Sequence, residues 1–192
     1  MNEPVHTFRL ATPDDAEALL KIYEPYIATT VTNETQVPAL GEFRQRIVDR
    51  DGAYPYIVCE EDGRPVGYAY GSRLFSRAAY AWSVELSVYF STDHRGRGLG
   101  RAIYGKLFDL LALQGVRTVV GKVVCPNEKS DHLHEKMGFE LVGTLRAASW
   151  KLGAWHDVHL WEKHIGDVEV EPAPLLRLSE VDSEKVRAIL GA

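Results

Sequence analysis

Several features that sort proteins quickly are scarce in this chain. It carries only two cysteines in 192 residues. Cys59 and Cys125 both fall in runs that read as strands, where cysteine behaves as a small buried apolar residue, so a disulfide framework is excluded. No apolar stretch approaches the roughly 20 residues that cross a bilayer. The N-terminal Met-Asn-Glu-Pro-Val-His-Thr lacks the basic-then-apolar pattern of a signal peptide, so a reducing cytoplasm is the expected compartment. Positive charge is in deficit, with 22 Lys and Arg against 27 Asp and Glu, a net of −5. A nucleic-acid partner usually shows a basic excess or stripe, so neither nucleic acid nor membrane is an expected partner. Internal repeats and low-complexity tracts are absent. What is present is ordinary globular composition, 45% hydrophobic and 26% charged, enough for one full core.

The most informative stretch runs from Trp82 to Leu113. Val84, Leu86, Val88 and Phe90 alternate with Glu85, Ser87 and Tyr89, the pattern of a half-buried strand with one polar face. Leu99, Ile103, Leu107, Leu110 and Leu111 then recur at helical spacing. Between them lie Gly96, Gly98 and Gly100, flanked by Arg95, Arg97 and Arg101. A strand, a glycine-rich turn and a helix start make an anion site. The glycines allow close backbone approach, and the free N–H groups and positive dipole end of the helix favour phosphate. A P-loop would need Lys-Ser/Thr after its last glycine, and a dinucleotide fingerprint would need Gly-x-Gly-x-x-Gly near the first strand; neither fits.

Taken in order, His6 to Leu10 reads as a strand. Thr12 reads as an N-cap with Pro13 at the first helical position. The first helix turns Ala16, Leu19, Leu20 and Tyr23 inward and ends near Ala28. Thr29 to Pro38 is polar and irregular. A second helix, about Leu40 to Asp51, carries Phe43, Ile47 and Val48 on one face. Tyr56 to Glu60 and Val66 to Leu74 form a hairpin about Asp62-Gly63. After the central helix, stopped by Gly115, Thr118 to Val124 is a β-branched strand. Glu128 to Met137 is a short helix, and Phe139 to Lys151 with Trp155 to Lys163 closes the domain as an antiparallel pair. Residues 167–192 differ in composition: an acidic, proline-containing linker and then a candidate helix ending at Leu190, which could dock on the domain, on a partner or on nothing. The order is β-α-α-β-β-β-α-β-α-β-β, a mixed α/β (α+β) sheet over residues 1–166.

Arg95-Gly96-Arg97-Gly98-Leu99-Gly100 resembles the acyl-CoA pyrophosphate loop of the GNAT superfamily of acetyltransferases, and the element order is similar to that fold. Asn127 to Phe139 resembles the second cofactor helix of the same superfamily. Further blocks look like the phosphinothricin and methionine sulfoximine acetyltransferases: Arg77 to Tyr89, Pro126-Asn127, Leu133-His134-Glu135 and Gly153 to Val158. The resemblance implies transfer of acetyl from acetyl-CoA to the α-amine of a small amino-acid analogue, and it makes a homodimer plausible. It implies that Glu85 is the general base and His134 a second catalytic or substrate contact, in a place where a tyrosine protonates the leaving thiolate in much of the superfamily. Val88, Tyr89 and Phe90 would bind the acetyl-pantetheine, and Gly96 to Arg101 with Arg95 the pyrophosphate. Asn127 would cap its helix or bond the pantetheine, with Ser130 beside it. Arg77, Tyr80 and Ser87 would line the acceptor pocket. Asn33 stands where family members carry an aromatic residue covering the acceptor, a departure that bears on acceptor choice.

The residue chemistry agrees with that implication. Acetyl transfer to an amine needs a proton acceptor for the ammonium, a donor for the developing oxyanion and a partner for the thiolate. Glu85 lies on the polar face of its strand, where partial desolvation would make it a better base. The guanidinium fork of Arg77 suits a carboxylate, phosphinate or sulfoximine. Two alternatives remain at this level: another amine acceptor (a polyamine, aminoglycoside or peptide N-terminus), or a CoA-binding sensor without turnover. A metal site is not expected, because His132 and His134, two apart on a helix, face different directions.

Overall fold

A computed structural model describes residues 5–50 and 52–191. One seven-stranded sheet organises the chain. In space its order is β1 (His6–Leu10), β2 (Tyr56–Glu61), β3 (Arg64–Arg73), β4 (Ser83–Phe90), β5 (Thr118–Val124), β7 (Ala154–His164) and β6 (Glu140–Lys151). Every neighbouring pair is antiparallel except β4 and β5. Parallel neighbours need a crossover, and α3 (Leu99–Gln114) supplies it. The helices α1 (Ala16–Ile27) and α2 (Leu40–Arg50) lie on one face of the sheet. The other face carries α3, α4 (Glu128–Lys136) and α5 (Ser183–Leu190).

Alternation along the strands divides the core between these faces. Ile57, Cys59, Ala69, Val84, Leu86, Phe90, Val119 and Val123 pack towards α3, whose Ile103, Leu107, Leu110 and Leu111 are wholly buried. Truncating any of those leucines to alanine would cost about 2–5 kcal/mol, because a close-packed site relaxes only in part. Tyr56, Val58 and Tyr68 face the other way, against Leu19, Ile22 and Tyr23 of α1 and Phe43 and Ile47 of α2. Val48, placed by its spacing on that inward face of α2, is 42% exposed. The α2 contact is a narrow stripe, and Val48 lies one residue beyond its edge. Cys125 is half-buried and sits one residue past the end of β5, not within it.

The C-terminal segment docks on the domain. Val186 and Leu190 of α5 join the α3-side core. Upstream, Gln114 donates to the carbonyls of Ala53 (2.7 Å) and Leu176 (2.9 Å), and the Trp82 indole donates to Ala173 at 2.8 Å. Among the described residues, no helix is long and apolar enough to cross a membrane.

Candidate active site

The site begins where the parallel pair comes apart. β4 and β5 are in register only from Ser83↔Thr118 to Leu86↔Gly121, although β4 runs on to Phe90 and β5 to Val124. Beyond Leu86 the β4 edge has no strand beside it. Tyr26 fills part of the gap: its hydroxyl donates to the Phe90 carbonyl at 2.6 Å and accepts from the Phe90 amide at 3.1 Å. Strand bonding alternates with period 2, so Val88 turns its amide and carbonyl the same way as Phe90, into the splay. A cleft opens there, lined by Leu86, Ser87, Val88 and Tyr89 of β4, Lys122 and Val123 of β5, and Tyr104, Asn127, Ser130 and His134 from the α3–α4 side. Val31, from the segment after α1, closes its rim. Because its walls come from both faces of the sheet, the cleft passes through the sheet.

The glycine loop lies at the end of β4. Gly96 and Gly98 have φ of 75° and 81°, left-handed values that glycine adopts at little cost. Neither has a neighbour within 4 Å of where a Cβ would stand, so backbone conformation, not space, selects glycine there. Gly98 caps α3, and the exposed Arg95, Arg97 and Arg101 surround its N-terminus. Arg95 stacks its guanidinium 4.4 Å from the Tyr26 ring centroid. Arg97 is paired with Glu61 at 2.9 Å, and the same carboxylate takes His94 at 2.8 Å. Those two contacts hold the Glu61 carboxyl below its usual range, His94 contributing most. Leu99 is buried, so only its backbone faces the loop; a Cβ on Gly100 would meet Leu133 at ordinary contact distance.

His134 is the most constrained group in the cleft. It is 3% exposed and stacks on Trp161 with ring centroids 6.0 Å apart. Its Nδ1 lies 2.8 Å from the Ser130 carbonyl, which can only accept, so the proton resides on Nδ1. Burial pushes the imidazole pKa down, which keeps the ring neutral. Nε2 then carries a lone pair, is buried and has no hydrogen-bond partner. It points at β5, where a Cβ on Gly121 would stand 2.2 Å from it. His132, by contrast, is exposed and pairs with Glu135. Asn127 caps α4 by accepting from the Ser130 amide at 3.3 Å. Asp131 ties the same helix to β7, accepting from the Trp161 indole at 2.8 Å and from His159 at 3.1 Å.

Glu85 stands on the opposite face of β4. It does not line the cleft itself; it is bound to the cleft residue Lys122, Nζ to Oε2 at 2.7 Å. The partner follows from register: Glu85 pairs with Val120, and Lys122 is the next residue of β5 on the same face. Ser87 lies between Glu85 and Tyr89 on that face and lines the cleft. Three residues assigned to the acceptor pocket are elsewhere. Arg77 and Tyr80 sit on an exposed turn outside the cleft, and Tyr80 packs on Phe75 with ring centroids 4.7 Å apart. That turn precedes β4 and carries both side chains outside the lining of this cleft. Asn33 is exposed and accepts from Ser149 at 2.7 Å, and its neighbour Val31 meets the cleft instead. Phe90 offers no free backbone, because Tyr26 takes it.

The cleft also uses residues that strand periodicity did not single out. Lys122 was visible as the one charge inside a β-branched run, and Gly121 as an isolated glycine in a strand, a sign of close approach. Tyr104 and Val31 had no such signal. Among the described residues, no group of three or more His, Cys, Asp or Glu side chains is placed to hold a metal.

A through-sheet cleft beside a phosphate-type loop is a setting for a long, phosphorylated thioester. The model of the acetyltransferase (GNAT) domain family matches residues 8–160. The chain belongs to the GNAT acetyltransferase family. Phosphinothricin N-acetyltransferase of Streptomyces viridochromogenes is 37% identical over 177 residues, 90% of this chain and 94% of that protein. The L-methionine sulfoximine/L-methionine sulfone acetyltransferase of Salmonella typhimurium is 31% identical, covering 79% and 90%. Among solved structures, a phosphinothricin acetyltransferase from Sinorhizobium meliloti in complex with acetyl-CoA superposes with a TM-score of 0.84 at 31% identity, covering 88% of this chain and 93% of that one. This GNAT enzyme is therefore an N-acetyltransferase that uses acetyl-CoA. Its own residues fit that cosubstrate: an arginine-flanked loop of left-handed glycines, and an unpaired β4 edge at Val88 that lines the cleft.

Proposed function

We propose that this GNAT enzyme acetylates the α-amine of a small amino-acid analogue of the phosphinothricin or methionine sulfoximine class, by direct transfer with Glu85 as proton acceptor. The observation that carries this reading is the cleft through the splayed β4–β5 pair, which lets a donor on the α3–α4 side meet an acceptor on the Glu85 side. Bound acetyl-CoA supplies an activated acetyl group. Gly96 to Arg101 would hold its diphosphate, and Asn127 and Ser130 would flank its pantetheine. The Val88 amide, fixed by the strand, would donate to the carbonyl oxygen as negative charge grows on it. Ser87 and Lys122 would meet the acceptor, and Glu85, one contact further back, would take the ammonium proton through a water. The relatives' acceptors motivate the substrate class; Lys122, a cation at the cleft wall, suits an acceptor with an anionic group and disfavours a polyamine.

The test is release of CoA thiol with phosphinothricin, methionine sulfoximine, methionine sulfone and common amino acids as separate acceptors. Turnover confined to polyamines or aminoglycosides would overturn the substrate class. Glu85→Gln keeps the shape and a hydrogen bond to Lys122 but cannot accept a proton. It is expected to lower kcat by on the order of 10²-fold or more with the acetyl-CoA KM unchanged. Unchanged turnover would remove Glu85 from the role of base.

A second reading concerns His134. His134 lines the cleft and its Nε2 lone pair has no partner, so in the resting state this side chain accepts a proton and cannot give one. His134 would then be the base, and it would serve as acid towards the thiolate only after taking that proton. A pH–rate profile separates the two: the acidic limb disappears in Glu85→Gln if Glu85 is the base, and in His134→Asn if His134 is.

A homodimer through the β6–β7 hairpin belongs to the same reading. Trp150, Leu152 and Trp155 are 57%, 64% and 62% exposed at its tip, apolar surface of the kind that supports an interface there. Sedimentation velocity should show a dimer that Trp150→Ala/Trp155→Ala dissociates; a monomeric wild type would refute it. A cytoplasmic site of action is proposed with it, and a fluorescent fusion would locate it.

A further inference from the structure

Strand β6 has an inverted burial pattern. Leu141, Val142, Leu145 and Trp150 are exposed, while Lys151 is only 4% exposed. Burying an ammonium is unfavourable unless its donors are satisfied, and an apolar residue would fill the position more easily. No carboxylate lies within 4 Å of Lys151 among the described residues. Its one hydrogen-bond partner is the carbonyl of Thr32, 2.6 Å from Nζ.

Thr32 belongs to the irregular segment between α1 and α2, and it is itself 6% exposed. Its hydroxyl is bonded to Tyr23 of α1. The next residue, Asn33, accepts from Ser149 of β6 at 2.7 Å. Glu34 follows, paired with Arg46 of α2. Three consecutive residues of an otherwise unstructured segment are thus tied to three different elements, and the residue before them, Val31, forms the rim of the cleft. The contacts from Lys151 and Ser149 are the ones that reach across from the far edge of the sheet. The Lys151 carbonyl in turn accepts from His156 of β7 at 3.0 Å, which anchors the strand end.

We infer that Lys151 is a positioning residue for the acceptor: with Ser149 it clamps Thr32 and Asn33 to the β6–β7 hairpin and so sets where Val31 stands at the cleft rim. The inference rests on the proposed function and takes the rim at Val31 to face the acceptor. Among the described residues, the Lys151 ammonium hydrogen-bonds only to this segment, so its loss should alter acceptor binding and leave the acetyl-CoA loop alone.

The experiment pairs kinetics with amide hydrogen exchange on the full chain. Lys151→Met keeps the length and apolar stem and removes the donor. It is expected to raise the acceptor KM tenfold or more, leave the acetyl-CoA KM within twofold, and speed exchange across residues 29–38 at least tenfold while β2 to β5 stay protected. Ser149→Ala, a small change at a half-buried site, should shift the same two readouts by a smaller factor. Exchange in 29–38 unchanged in both variants would overturn the clamp. Faster exchange with an unchanged acceptor KM, or an equal rise in both KM values, would overturn its role in positioning the acceptor. If wild type turns over none of the amino-acid analogues, the substrate reading fails, and the exchange arm alone decides whether Lys151 orders the segment.

Discussion

Replacing Gly121 by alanine adds one carbon where the cleft has no room. The new Cβ would stand 2.2 Å from His134 Nε2, 2.7 Å from Cδ2 and 3.2 Å from Cε1. The ring cannot step aside freely: Nδ1 is bonded to Ser130, Trp161 stacks on one face, and Phe139 meets it edge-on at 4.9 Å between centroids. Overpacking a held side chain costs about 1–3 kcal/mol. For a chain of this size that lowers Tm by roughly 2–12 °C. Urea unfolding followed by tryptophan fluorescence would measure the loss, and CoA-thiol release would report the accompanying displacement of His134. The decisive control is His134→Ala. It empties the space the new methyl needs, so Gly121→Ala should be less destabilising in that background than in wild type. A Gly121→Ala protein as stable and active as wild type, or losses that simply add in the double variant, would refute the steric reasoning.

Burial of His134 makes stability depend on pH with a definite sign. Its folded pKa lies below the ordinary 6.5, so between the two values the unfolded chain binds more protons than the native one. The stabilisation is full above pH 6.5 and is lost as pH falls towards the folded pKa. The stability difference between wild type and His134→Phe should therefore drift against wild type from about pH 8 to about pH 5, measured by urea titration; a flat difference would refute it. Asp131→Ala should cost about 1–3 kcal/mol, because it leaves the buried Trp161 indole without its acceptor, whereas Asp131→Asn retains a carbonyl and should cost less. Equal thermal unfolding of the two variants would count against that hydrogen bond.

Much of this enzyme was legible in the linear chain because the governing rules are local. The alternation of Val84 to Phe90 reports a strand with two chemically different faces, and the spacing of Leu99 to Leu111 reports a helix with one apolar side. Gly96 and Gly98, in a turn between a strand and a helix, point to backbone that a side chain would hinder. The loop and Asn127 as a cap follow from residue type at a helix start, and the separation of His134 from His132 from the helical period, none of which needs knowledge of the rest of the molecule. Residues 167–192 also showed their helix, but not that it would close the α3-side core.

What only the tertiary structure decided depends on how distant segments meet. Pairing between β4 and β5 stops at Leu86 and Gly121, and that break, not either strand's composition, makes the cleft. Lys122 reaches Glu85 through parallel register, Tyr26 occupies the backbone of Phe90, and Lys151 reaches Thr32 across 119 positions of sequence. Arg77 and Tyr80, close to Glu85 along the chain, are turned out of the cleft. Periodicity along a strand fixes which face a side chain takes; it carries no information about which residue of another strand stands opposite, and the chemistry of this site lies in those pairings.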